Sequence, residues 1–97
     1  TDLLFVVGSD PIGRSVFSNE IHRIIEDIDN VVCLDLFLHE TSELGNYIIP
    51  TSSTLGEKEG TFTNIEFRTS RIDKLVPSPG QSLSDWEFIS GLSNFCN

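Results

Sequence analysis

The chain has 97 residues, enough for one small domain with a modest core. Six basic residues face fifteen acidic ones, a net charge of −9, so phosphate backbones and anionic lipid are repelled and nucleic acid is not an expected partner. No apolar run approaches the ~20 residues that cross a bilayer, so direct membrane insertion is not expected either. There is no methionine, and Asp2 is followed at once by an apolar run with no basic leader, which points to a mature product, a processed piece or an excised domain. Cys33 and Cys96 have no metal-ligand spacing and make no disulfide framework. A reducing, cytoplasmic compartment is expected, with Cys33 a small core residue.

The apolar run Leu3 to Gly8, LLFVVG, fits a strand buried on both faces, as in parallel sheets. SDPIGR reads as turn chemistry. From Ser15 to Ile28, Val16, Phe17, Ile21, Ile24, Ile25 and Ile28 recur at three- and four-residue steps and predict an amphipathic helix. A second buried strand is expected at Val31 to Asp35, completing a βαβ unit. HETSELG predicts one helical turn, starting near Thr41 or Ser42 and ending at Gly45, and NYIIP a third short strand stopped by Pro50. TSSTLGEKEG is a polar loop, TFTNIEFRTSRI holds one or two short strands, and VPSPGQS is a turn-rich connector. A final helix is predicted at about Leu83 to Phe95, capped by Ser82 or Ser84. The fold class is therefore α/β: a Rossmann-like three-layer domain fragment over residues 1–97, with a short, mostly parallel sheet.

In open α/β sheets, ligands bind beyond the carboxyl ends of the strands. Asp10 and Asp35 lie at two such ends. Their carboxylates suit a ribose diol or a guanine edge, against the plainer reading of solvated turn aspartates. GSDPIG lacks the full glycine pattern of a dinucleotide or phosphate loop. His22 reads as a surface or half-buried side chain. His39, beside Glu40 and Thr41, is better placed but forms no triad. Asp85-Trp86 fits ordinary acid placement at a helix start.

Taken in order, VVCLDLFLHETSELGNYIIP, EKEGTFTNIEFRTSRI, the PG of VPSPGQS and DW resemble the molybdopterin oxidoreductases. The likeness is to formate dehydrogenase catalytic subunits and to the large iron–sulfur subunit of NADH–quinone oxidoreductase. LLFVVGSDP is similar to the family's strand ending in G-x-N-P. The resemblance implies half of the site for a bis-guanine-dinucleotide pterin, molybdopterin guanine dinucleotide, carrying molybdenum or tungsten. It implies cofactor contacts at Asp10, Asp35, Lys58 and Asp85, with no catalytic or metal-ligating residue in the chain. Lys58 would be a cation held at a turn that Gly60 permits and Asn64 ties. Iron–sulfur clusters, the metal ligand and the substrate would belong to other domains or subunits of the oxidoreductase.

The sequence departs from the family pattern at Asp10, which stands for the asparagine of G-x-N-P, and at four further positions. Asn46 stands for the aspartate of A-D-V, Ser70 for a glutamine, Phe67 for arginine or glycine, and His39 for the first threonine of F-x-T-E-T. These keep a second expectation open, a pterin-free scaffold domain of the NADH–quinone oxidoreductase subunit on the peripheral arm of a respiratory complex.

Overall fold

The computed structural model describes residues 1–53 and 56–97; Thr54 and Leu55, within the expected polar loop, lie outside the described residues. Two compact units emerge, Thr1–Pro50 and Thr51–Asn97.

The first unit runs β1 (Leu3–Val7), α1 (Pro11–Arg14), α2 (Ser18–Glu26), β2 (Asn30–Asp35), α3 (Glu40–Glu43) and β3 (Tyr47–Pro50). The three strands form one parallel sheet in the order β1-β2-β3. This is the predicted α/β class. Central β2 is the apolar run NVVCLD, and Val31, Val32, Cys33 and Leu34 are all buried, so both of its faces are covered. Fully burying a side chain such as Leu34 contributes about 1.5–3 kcal/mol. On one face, Val6, Val31 and Cys33 pack with Ile12 of α1 and Ile25 of α2, flanked by Leu4, Ile21, Ile28 and Leu44.

Edge strand β1 differs from the expectation. Val6 is buried, but Leu3, Phe5 and Val7 are 50%, 40% and 39% exposed. They occupy alternate positions and so share one face, whereas the helical cluster covers the other.

The predicted helix from Ser15 to Ile28 is corrected in two ways. Within SDPIGR, Pro11–Arg14 is helical rather than a plain turn. Asp10 caps α1 by accepting from the Gly13 N–H at 3.0 Å, and Pro11 opens the helix, where its missing N–H costs nothing. The chain then breaks at Ser15, whose backbone is extended, before α2 begins at Ser18. Val16 and Phe17, read as the first turn of the apolar face, are exposed outside it. Asn46 braces the start of β2, its Oδ1 accepting from the Val31 N–H and its own N–H donating to the Val31 carbonyl, both at 2.8 Å.

The second unit holds β4 (Gly60–Thr63), β5 (Thr69–Ile72) and α4 (Asp85–Cys96). β4 and β5 form an antiparallel hairpin. Thr51 pairs in parallel with Leu83 as an isolated bridge. Asn64 does tie a turn, but it is the β4–β5 loop rather than the one at Lys58. Its Oδ1 accepts from the N–H groups of Glu66 and Arg68, each at 3.0 Å. Phe67 in that loop has φ 62°, a left-handed backbone that favours glycine. Ser84 occupies the N-cap of α4 without making a side-chain cap bond, and no side chain of α4 is buried.

Candidate functional site

Asp10 follows β1 through Gly8 and Ser9. Gly8 has φ 58°, which glycine adopts freely, and its N–H closes the pairing with β2 at the Leu34 carbonyl, 2.8 Å away. Asp35 ends β2. The carboxyl ends of these adjacent parallel strands open on a cleft of about 440 Å³ lined by Gly8, Ser9, Asp10, Arg14, Asp35, Phe37 and His39. Both aspartates singled out from the sequence therefore lie in it.

His39 joins them. Its Nε2 lies 3.0 Å from Asp35 Oδ2 and its Nδ1 3.4 Å from Asp10 Oδ1. The ring also caps α3, Nδ1 accepting from the Ser42 N–H at 3.3 Å. In return the His39 N–H donates to Ser42 Oγ, and that hydroxyl donates to the His39 carbonyl, both at 2.8 Å. This reciprocal box makes His39 the N-cap of α3, which begins at Glu40, with Thr41 and Ser42 near its start as expected.

Thr41 is fully buried and carries the next connection. Its hydroxyl donates to Asp10 Oδ1 at 2.6 Å and accepts from the Ile12 N–H at 3.1 Å, linking α3 to α1. The Thr41 bond, then the Gly13 N–H, hold the Asp10 carboxyl below its ordinary range against a smaller desolvation effect, with His39 also favouring the anion. A Cβ at Gly13 would run into that carboxylate. Asp35 Oδ1 accepts from the Leu36 N–H at 2.7 Å. Burial, then the Asp35 charge, push the Cys33 thiol up, as befits an inert core residue.

In the second unit the structure brings Lys58 and Asp85 together, Nζ to Oδ1 3.9 Å, with the lysine side chain 25% exposed. The turn before Lys58 is braced by polar contacts. Glu57 Oε2 accepts from the Ser53 N–H at 2.7 Å, and the Gly56 carbonyl accepts from the N–H groups of Leu75 and Val76 at 2.7 and 2.9 Å. Gly60, φ 142°, opens β4 with a backbone that side chains rarely adopt.

Thr41, Arg14 and Phe37 were not among the sequence candidates, and His39 was weighed there only as a lone histidine without a triad. The available signal was the i,i+4 spacing of Asp35 and His39 across the end of a strand, with Ser42 three residues beyond as a capping partner. His22 is a surface side chain paired with Glu26 at 3.4 Å. Among the described residues, no group of three or more His, Cys, Asp or Glu side chains could hold a metal ion. No helix among them is long and apolar enough to cross a membrane.

The cleft suits a ligand with many donors. Two carboxylates accept, while Arg14 alone offers a fixed positive charge, so a ribose diol or purine donor edge fits better than a run of phosphates.

A family model described as molybdopterin oxidoreductase matches residues 1–95. The chain is 38% identical over 90 residues to the F420-dependent formate dehydrogenase 2 subunit alpha of Methanococcus maripaludis, covering 93% of this chain and 13% of that protein. It is 36% identical over 90 residues to the F420-dependent formate dehydrogenase subunit alpha of Methanocaldococcus jannaschii, with the same coverage. It is 35% identical over 91 residues to the assimilatory nitrate reductase catalytic subunit of Bacillus subtilis, covering 94% of this chain and 13% of that one. The chain thus spans about an eighth of the length of these relatives, 13%. The family model's match over nearly every residue, together with these relatives, shows that this chain belongs to the molybdopterin oxidoreductase family.

Proposed function

We propose that residues 1–97 are part of the cofactor-binding domain of a formate-dehydrogenase-like molybdopterin oxidoreductase, and that the cleft beyond β1 and β2 takes one guanosine end of a bis-guanine-dinucleotide pterin. The observation that carries this reading is the pair of carboxylates, Asp10 and Asp35, at the ends of adjacent parallel strands and joined through His39. Asp10 and Asp35 accept hydrogen bonds from the sugar hydroxyls or the purine edge. Phe37, 79% exposed at the cleft, offers an aromatic face to the base, and Arg14 meets the first phosphate. In residues 51–97, Lys58 supplies a hydrated point charge and three donors to a phosphate or carbonyl of the cofactor, and Asp85 holds that ammonium in place.

When bound, the pterin supplies the metal, molybdenum or tungsten, on which the redox chemistry depends. The residues here bind and orient it; they do not react. The metal ligand, the iron–sulfur clusters and the substrate site belong to other domains or subunits of the oxidoreductase, a view supported by the small share of its relatives that this chain spans, and the proposed compartment is the cytoplasm. The pterin-free scaffold reading gains no support from the formate dehydrogenase and nitrate reductase relatives. The drifted Asn46 that favoured it has a local explanation in bracing β2.

Titrating the chain with guanosine 5′-diphosphate by calorimetry tests the reading. The wild type is expected to bind, with Asp35→Ala weakening affinity about tenfold, the scale of a lost hydrogen bond to a charged group. Unchanged affinity in that variant removes Asp35 from the site. No binding by the wild type overturns the reading.

A further inference from the structure

The neutral form of His39 is defined by its partners. The Ser42 N–H donates to Nδ1, so the single ring proton lies on Nε2 and points at Asp35 Oδ2. A second proton would have to go on Nδ1. There it would oppose the Ser42 N–H, and the nearest acceptor is Asp10 Oδ1 at 3.4 Å. The protonated ring thus faces both carboxylates of the cleft, one from each nitrogen. The ring side chain is 17% exposed, so the water that would screen these contacts is mostly excluded.

We propose that His39 is a proton-linked positioning residue that decides whether Asp10 and Asp35 are available to a ligand's donors. This rests on the nucleoside reading of the cleft. With a neutral ring, His39 orients Asp35 through one bond and leaves Asp10 to Thr41 and Gly13, so the cleft keeps two negative charges and spare acceptor sites. With a charged ring, the imidazolium clamps both carboxylates. It competes for the same lone pairs and cancels charge that draws donors in. The other charged or titratable groups around it leave that competition in place. Arg14 of α1 lines the same cleft, Glu40 is exposed at the start of α3, and the Cys33 thiol behind on β2 is buried and neutral.

The test is a titration of the full chain with guanosine, an uncharged probe carrying a ribose diol and a purine donor edge, followed by NMR near pH 8 and near pH 5.5. His39→Gln is compared, because its amide can still donate to Asp35 but cannot gain a charge. The wild type is expected to lose about fivefold in affinity at the lower pH, while His39→Gln stays flat, a coupling at the small end of the usual range. The same loss in both proteins, or no loss in the wild type, overturns the inference. Should His39→Gln fail to fold, the His39 ring ¹⁵N shifts of the wild type decide. Protonation at Nδ1 must have the same midpoint as the loss of affinity, and a separate midpoint overturns the inference. No guanosine binding at either pH overturns the nucleoside reading itself, and the inference with it.

Discussion

The two units of this chain are held by different forces. Every buried apolar side chain among the described residues lies in 1–50, grouped on β1, β2, α1 and α2. Among the described residues of 51–97 the buried side chains are Ser52 and Ser84, and the visible braces are polar: the Ser52–Ser78 hydroxyl pair at 2.6 Å, the Glu57 carboxylate and the Gly56 carbonyl. Apolar burial is worth several times a net hydrogen bond, so substitutions should be felt far more in the first unit. The candidate residues divide in the same way. Asp10 and Asp35 stand on a packed sheet, whereas Lys58 and Asp85 stand on a braced turn and a helix start.

The contrast can be broken most sharply at Leu34. Leu34→Ala should cost about 3 kcal/mol in urea unfolding, against under about 1 kcal/mol for Ile89→Ala on the exposed α4. Equal losses would mean that 51–97 contributes a core of its own. Next is Thr41→Val, which keeps shape but strands the Ile12 N–H and removes a donor from Asp10. About 2 kcal/mol is expected from the same unfolding curves.

The acid limb of stability follows from Asp10. Its folded pKa is lowered, so its contribution is fully present above the ordinary aspartate value of about 4 and is lost as pH falls through the folded value. Asp10→Asn should flatten that loss below about pH 4 in a pH series of thermal melts; an unchanged slope would show that the Thr41 bond does not favour the anion. The smallest effect is at Phe67. Replacing it with glycine relieves a left-handed backbone worth about 1–2 kcal/mol but loosens the unfolded chain, for a net gain under about 1 kcal/mol. A destabilised Phe67→Gly hairpin would show that the ring packs in solution.

The βαβ unit was legible because its apolar runs and helical spacing are local signals. The break at Ser15 was not, because Val16 and Phe17 continue the periodicity that the backbone abandons. Asp10 and Asp35 could be placed at strand ends from the order of elements alone. Their linkage could not, since Thr41 reaches Asp10 across 31 positions and only the folded chain puts them within 2.6 Å. His39 looked isolated because its partners are carboxylates already assigned to other turns. Lys58 and Asp85 came from the family motifs; their mutual approach at 3.9 Å needed the structure.

The most direct test of the central claim is mass spectrometry of the protein purified natively from its source, assaying molybdenum, tungsten and released pterin guanine dinucleotide in the wild type and in Asp35→Ala. The account predicts metal and pterin in stoichiometric amounts in the wild type, with a clear loss in the variant. A wild type that holds neither would contradict it, leaving the acidic cleft as a structural remnant.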